Sequence, residues 1–204
     1  MNWLAHLYLS PPDIEARIGS VIADWVKGEA RQTLPPGIQT GIHIHQAVDS
    51  FTDSHEIVHR SQQRIRTPFG RYSAVLVDVF YDHFLARDWA QYSSITLKQF
   101  TDEVYAGFAS YHRDHASQLD ERVQQGLARM AADDWLGSYA QIDGIEIILR
   151  RMSRRLSMRI QRQNWLGDAI GELTANYAAL ADDFHEFWPQ LVFSQSTKIA
   201  SGRK

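Results

Sequence analysis

The chain has 204 residues, 44% of them hydrophobic, which suits one domain with a sizeable core. It holds no cysteine, so disulfides, thiolate nucleophiles and cysteine-ligated zinc or iron–sulfur centres are excluded. A net charge of −3 argues against a general nucleic-acid binder; "MNWLAHLYLSPP" is no secretory leader, no stretch offers the ~20 apolar residues of a membrane span, and a cytoplasmic protein with no membrane or nucleic-acid partner is expected.

Apolar positions recur at three- and four-residue spacing nearly throughout, and no alternating run of β-branched residues stands between turn signals, which predicts an all-α, single-domain helical bundle over residues 1–204. Ile14, Ile18, Val21, Ile22 and Trp25 mark a first amphipathic helix, ended by Gly28 and joined through "LPPG" to a second over about 38–53. "SHEIVHRSQQRIR" predicts a short polar helix, set apart by "TPFG" from a long apolar one over about 70–87. Thr96 and Gln99 have capping-box spacing and open a helix to about 111; further helices fit 114–131, 143–162, 166–183 and 185–197. There is no repeat, no low-complexity tract and no dividing linker.

Within this apolar pattern several acids and histidines fall where a core is expected. Asp78 and Asp82 lie within ~40° of each other on the helix side that also carries Val75, Val79 and Leu85. Like charges one turn apart oppose the helix, and burying them without a counter-ion costs several kcal/mol, so something cationic must hold them. In "IHIHQAVDSFTDSH", His45 and Asp49 share a face and are spaced to grip one ion, while His43 projects elsewhere and Asp53 lies one step round. Asp24 stands at the edge of an apolar stripe, His83 directly follows Asp82, and His6 sits in the apolar run "LAHL". Together these groups point to a divalent cation held by nitrogen and oxygen, with manganese, magnesium, iron or zinc as occupants.

A second pattern competes. Residues 55–59, "HEIVH", match the H-E-x-x-H signature of zinc peptidases, in which His55 and His59 would ligate and Glu56 would act as base. That chemistry needs an apolar helix beneath a cleft, whereas this stretch begins at a helix start and runs into the polar "RSQQRIR".

The motifs "MNWLAHLYLS", "ADWVKG", "GIHIHQAVDSFTDSH" and "VDVFYDHFLARDW", in this order over the first 90 or so residues, resemble the acyl carrier protein phosphodiesterase family, divergent relatives of the HD-domain metal phosphohydrolases. The resemblance implies an HD-like helical fold and hydrolysis of the phosphodiester that joins 4′-phosphopantetheine to a serine of holo-acyl carrier protein, with manganese favoured and magnesium or iron as substitutes. Positions matching the family's polar motif residues are His6, Asp24, His43, His45, Asp49, Asp53, Asp78, Asp82 and His83. Two positions depart from it: Glu56 replaces a proline and so creates the peptidase-like pattern, and Trp3 replaces a phenylalanine.

On this basis Asp24, His45, Asp49 and Asp78 are expected to hold the metal. His83, His45 and Asp82 are the candidates for proton transfer, and His6, His43 and Asp53 are expected to support them. Arg150, Arg151, Arg154, Arg155, Arg159 and Arg162 cover the half of a helix opposite the Ile145, Leu149, Met152, Leu156, Ile160 stripe, a face suited to docking the acidic carrier protein. Three other readings stand beside this one: a zinc peptidase, an HD-type nucleotide phosphohydrolase and a non-enzymatic helical interaction module.

Overall fold

A computed structural model describes residues 1–160 and 166–201, with residues 68, 154–160 and 198–201 described by their backbone alone. It is all-α: ten α-helices and short 3-10 turns make up the regular structure, with no strand among the described residues. None of these helices is long and apolar enough to cross a membrane. Two compact units emerge, each drawn from more than one stretch of chain: Met1–Asn2, Phe51–Arg87 and Ser138–Lys204 form the first, Trp3–Ser50 and Asp88–Gly137 the second.

The second unit contains α1 (Trp3–Leu9), α2 (Ile14–Ile22), α3 (Pro36–Ser54) as far as Ser50, α6 (Leu97–His115) and α7 (Glu121–Ala132). Asp13 starts α2 by accepting the Ala16 N–H at 2.9 Å. The Thr96–Gln99 capping box forms as the sequence predicts, satisfying N–H groups in both directions. α6 runs on to His115, and α7 opens on Asp120, whose carboxylate accepts from the Arg122 N–H at 2.8 Å; that cap moves the helix start well past residue 114. Leu4, Leu7, Ile18, Val21, Ile22, Ile38 and Val48 are fully buried and hold α1, α2 and α3 together.

Where α2 meets α3 the backbones touch. A Cβ on Gly19 would lie 2.0 Å from the Ile38 carbonyl oxygen, and one on Gly41 would lie 2.0 Å from that of Ala16. Any side chain at either position would drive the helices apart.

The first unit contains the end of α3, α4 (Glu56–Phe69), α5 (Ser73–Arg87), α8 (Ile142–Ile160), α9 (Ala169–Ala175) and α10 (Tyr177–Ser201). α4 continues through "TP" and stops at Gly70, whose φ of 54° only glycine adopts readily. The break expected near residue 184 falls at Asn176 instead. Its backbone N–H and side-chain amide both bond the Glu172 carbonyl, closing α9, and α10 then runs unbroken through Pro189. Interior proline costs a helix ~3 kcal/mol, and the buried Leu180, Phe184, Phe187, Trp188 and Leu191 offset it. The buried Asp183 is met by Arg60 and Arg64 and by the Ser61 hydroxyl, which also bonds Tyr81 at 2.8 Å.

Candidate metal centre

Three elements of the second unit build the site. α1 supplies His6, the turn after α2 supplies Asp24, and α3 supplies His45 and Asp49 one helical turn apart. Asp49 is the hub: its Oδ1 lies 3.1 Å from His6 Nε2 and its Oδ2 2.9 Å from His45 Nε2. The two imidazoles stack with ring centroids 3.8 Å apart and planes 16° from parallel. Asp24, largely exposed, brings Oδ1 to 3.9 Å from His45 Nε2. One ligand atom each from His6, His45 and Asp49 lie within 4.8 Å of one another, which fits a single ion.

The close crossing of α2 and α3 sets this geometry. It brings the Ser20 carbonyl, one residue from Gly19, to 2.8 Å from His45 Nδ1, which therefore donates. With Nδ1–H committed there, Nε2 is the atom that faces Asp49 and Asp24. A histidine ligand is oriented in just this way when its other ring nitrogen donates to a backbone carbonyl.

The charges are divided unequally. Burial drives His6 down to about 4, despite the Asp49 hydrogen bond, so its ring is neutral near pH 7. Burial also works against His45, but the Asp49 hydrogen bond and charge override it and favour the imidazolium. Asp49 resists the upward push of burial because His45 and His6 both donate to it, and its carboxyl is held well below the ordinary range. The centre thus keeps an anionic carboxylate between two imidazoles, a donor set into which a divalent cation fits in place of a proton.

Sequence reasoning placed His45 and Asp49 together and Asp24 near them, as found. It gave His6 only a supporting place, whereas the structure sets His6 directly on Asp49. A lone histidine inside the apolar run Leu4–Leu7 was the available signal, and it is buried to 1% exposure. His43 and Asp53 are exposed, and the Asp53 backbone carbonyl accepts from His59 Nε2 at 2.7 Å.

Asp78, Asp82 and His83 belong to α5 in the first unit. Asp78 pairs with the Met1 ammonium at 3.0 Å, and the fully buried Asp82 accepts the Asn2 backbone N–H at 3.3 Å. His83 donates through Nδ1 to the Tyr139 carbonyl at 2.8 Å, and its Nε2 receives the Tyr177 hydroxyl at 2.8 Å; Arg87 donates to the same hydroxyl at 3.0 Å. Tyr139 and Tyr177 carried no sequence signal, because their contact with His83 spans 56 and 94 residues.

The peptidase-like pattern does not form a zinc site. His55 is the N-cap of α4 with extended backbone, so it stands outside the helix that carries His59. Its Nδ1 accepts the Ile57 N–H, and its Nε2 lies 3.3 Å from Gln190. Of the arginines expected to dock a partner, Arg150 pairs with Glu146 and Arg151 is half-buried. Arg154, Arg155 and Arg159 lie on the described backbone of α8, and Arg162 lies outside the described residues.

The family model described as acyl carrier protein phosphodiesterase matches residues 1–191. A protein named acyl carrier protein phosphodiesterase from Escherichia coli O157:H7 (strain EC4115) is 30% identical over 203 residues, covering 97% of this chain and 99% of the relative. The protein of the same name from Escherichia coli O6:H1 (strain CFT073) is 30% identical over 204 residues, with the same coverage. No solved structure matches the chain. From the family match over nearly its full length and relatives aligned to it almost end to end, the chain belongs to the acyl carrier protein phosphodiesterase family.

Proposed function

We propose that the chain hydrolyses the phosphodiester between 4′-phosphopantetheine and a serine of holo-acyl carrier protein, at the centre formed by His6, His45, Asp49 and Asp24. The products are the apo-protein and free 4′-phosphopantetheine. The relatives' name suggests the reaction. The observation that supports its placement is the Asp49 carboxylate, shared between two imidazole Nε2 atoms at 3.1 and 2.9 Å. Kinship with HD-domain phosphohydrolases is part of the same reading, supported by histidines and aspartates converging from several helices.

His6, His45 and Asp49 would hold the ion and Asp24 would complete the set; manganese is favoured, with magnesium or iron as substitutes. When bound, a divalent ion would supply positive charge against the phosphodiester oxygens and would make water a better nucleophile. The chain's residues do the remaining work. Ser20 fixes the tautomer of His45, Asp49 aligns both imidazoles, and the exposed Asp24 presents a second carboxylate on the solvent side. For α5 of the first unit, Asp78, Asp82 and His83 are proposed as further groups on which the reaction depends, His83 through proton transfer. The proposed role of His83 predicts that His83→Gln removes turnover, beyond the lower thermal midpoint expected from disturbing its buried hydrogen bonds to Tyr139 and Tyr177. A collapse of stability alone would reduce His83 to a support for Tyr139 and Tyr177. The α8 arginines are proposed to receive the acidic carrier protein, in the cytoplasm.

The deciding experiment incubates manganese-loaded protein with holo-acyl carrier protein and weighs the product. Loss of the whole phosphopantetheine arm is expected; an unchanged mass with manganese, magnesium and iron alike rejects the reading.

A further inference from the structure

Trp3, one turn before His6 on α1, belongs to a wall of indoles. Trp3 on α1 meets Trp25 edge-on, with centroids 6.2 Å apart, and stacks on Trp135 at 5.2 Å and 23°. Trp3 and Trp25 are half-buried, whereas Trp135 is 8% exposed and backs them. Trp25 is seated firmly: a Cβ on Gly126 of α7 would lie 2.6 Å from its ring, so only glycine there leaves room for the indole.

The contacts close a circuit. Trp25 touches Trp3; Trp3 lies one turn before His6 on α1; His6 stacks on His45; His45 faces Asp24; and Asp24 is bonded in the chain to Trp25. Residues three apart share a helix face, so Trp3 and His6 lie one turn apart on the same side of α1 and the indoles adjoin the candidate metal centre through that helix. A phosphodiester held at the centre has two ends. On the 4′-phosphopantetheine side the phosphate oxygen is followed by a methylene, a carbon bearing two methyl groups, and then a chain of amides. The dimethyl carbon stands a few ångströms beyond the phosphate, where an aromatic face suits it.

We propose that Trp3 and Trp25 form the wall that binds this arm, so that they select a phosphopantetheinyl diester over other phosphodiesters. The proposal rests on the phosphodiesterase reading above for the identity of the arm. Neither indole takes part in bond breaking. They hold the dimethyl group by excluding water from apolar surface and so fix the ester between the wall and the His–Asp cluster.

The test is calorimetric titration of the full chain, equilibrated with Mn2+, with 4′-phosphopantetheine and separately with inorganic phosphate. Burial of two methyl groups predicts that 4′-phosphopantetheine binds about tenfold tighter than phosphate or better. It should also shift the tryptophan emission, which phosphate should leave in place. Trp25→Leu, checked for helix content by circular dichroism, is expected to erase the preference. Equal affinities in the wild-type chain overturn the proposal, as does a Trp25→Leu chain that keeps the preference; if that variant does not fold, the wild-type comparison decides alone. Cleavage of holo-acyl carrier protein is followed in parallel: its failure strikes the phosphodiesterase reading, while the wall stands or falls on the binding arms.

Discussion

Asp49 answers to two imidazoles at once, and no other side chain of the centre does. Asparagine keeps its shape but loses the charge, and its amide offers one acceptor oxygen where the carboxylate offers two. Asp49→Asn is therefore expected to cut manganese affinity by about 100-fold and to remove measurable cleavage, read by calorimetry and by product mass. A variant that still bound manganese at full strength would place the ion elsewhere. The same residues set a pH response in the metal-free chain. His6 is depressed from 6.5 to about 4 in the folded state, so between these values the unfolded chain binds a proton that folded His6 refuses. Stability through His6 rises with pH across this window and is lost as pH falls, by on the order of a few kcal/mol. His45 runs the other way: its contribution is complete below the ordinary histidine value and is lost as pH rises through the elevated folded one. Asp49 contributes above the ordinary carboxylate value and loses that only as pH falls through its depressed one. Urea midpoints of His6→Gln should thus flatten between about pH 4 and 6.5 relative to the parent chain. An unaltered slope would mean that His6 is not the group excluded from protonation.

At the scale of elements, the crossing of α2 on α3 places the Ser20 carbonyl against His45, and two glycines make it close enough. Gly19→Ala puts a methyl group 2.0 Å from the Ile38 carbonyl oxygen, which is backbone and does not rotate away. We expect a loss of about 3 kcal/mol or more, seen as a lower thermal midpoint. Gly171, inside α9, is the counter-case: a Cβ there meets nothing within 4 Å, so Gly171→Ala should stabilise by about 0.5–1 kcal/mol. If both changes had the same sign, the crossing would be looser than a direct backbone contact. Elements whose ends are written in local chemistry were legible in the sequence, as with the Thr96–Gln99 box and the His45–Asp49 spacing. α10 was not, since its passage through Pro189 depends on Leu180, Phe184 and Trp188 being buried. Nor was the place of His6, because α1 and α3 meet only in the tertiary fold, 39 residues apart in their contact; the same holds for the Tyr139 and Tyr177 partners of His83.

For the whole molecule, the all-α class was legible because a 3.6-residue period runs through nearly every segment, whereas the division into two units was not. Their boundaries fall inside α3 and between distant stretches of chain, and no linker marks them. Net charge poses the remaining problem: on the proposed reading, a chain of −3 that docks an acidic carrier protein needs a local cationic surface. The arginine-rich half of α8 is the surface proposed. Arg150 is already tied to Glu146, so its removal alone should matter little; Arg151, Arg155 and Arg159 recur at helical spacing and should act together. Replacing these three by serine is expected to raise KM for holo-acyl carrier protein about tenfold at low ionic strength, with kcat little changed, because the arginines act on encounter and not on the bond. Near 1 M salt the Debye length shrinks to ~3 Å and the difference between parent and variant should vanish. A KM that stays the same at low salt removes α8 from the docking surface. A penalty that persists at high salt shows that the arginines make close contacts, beyond any long-range steering.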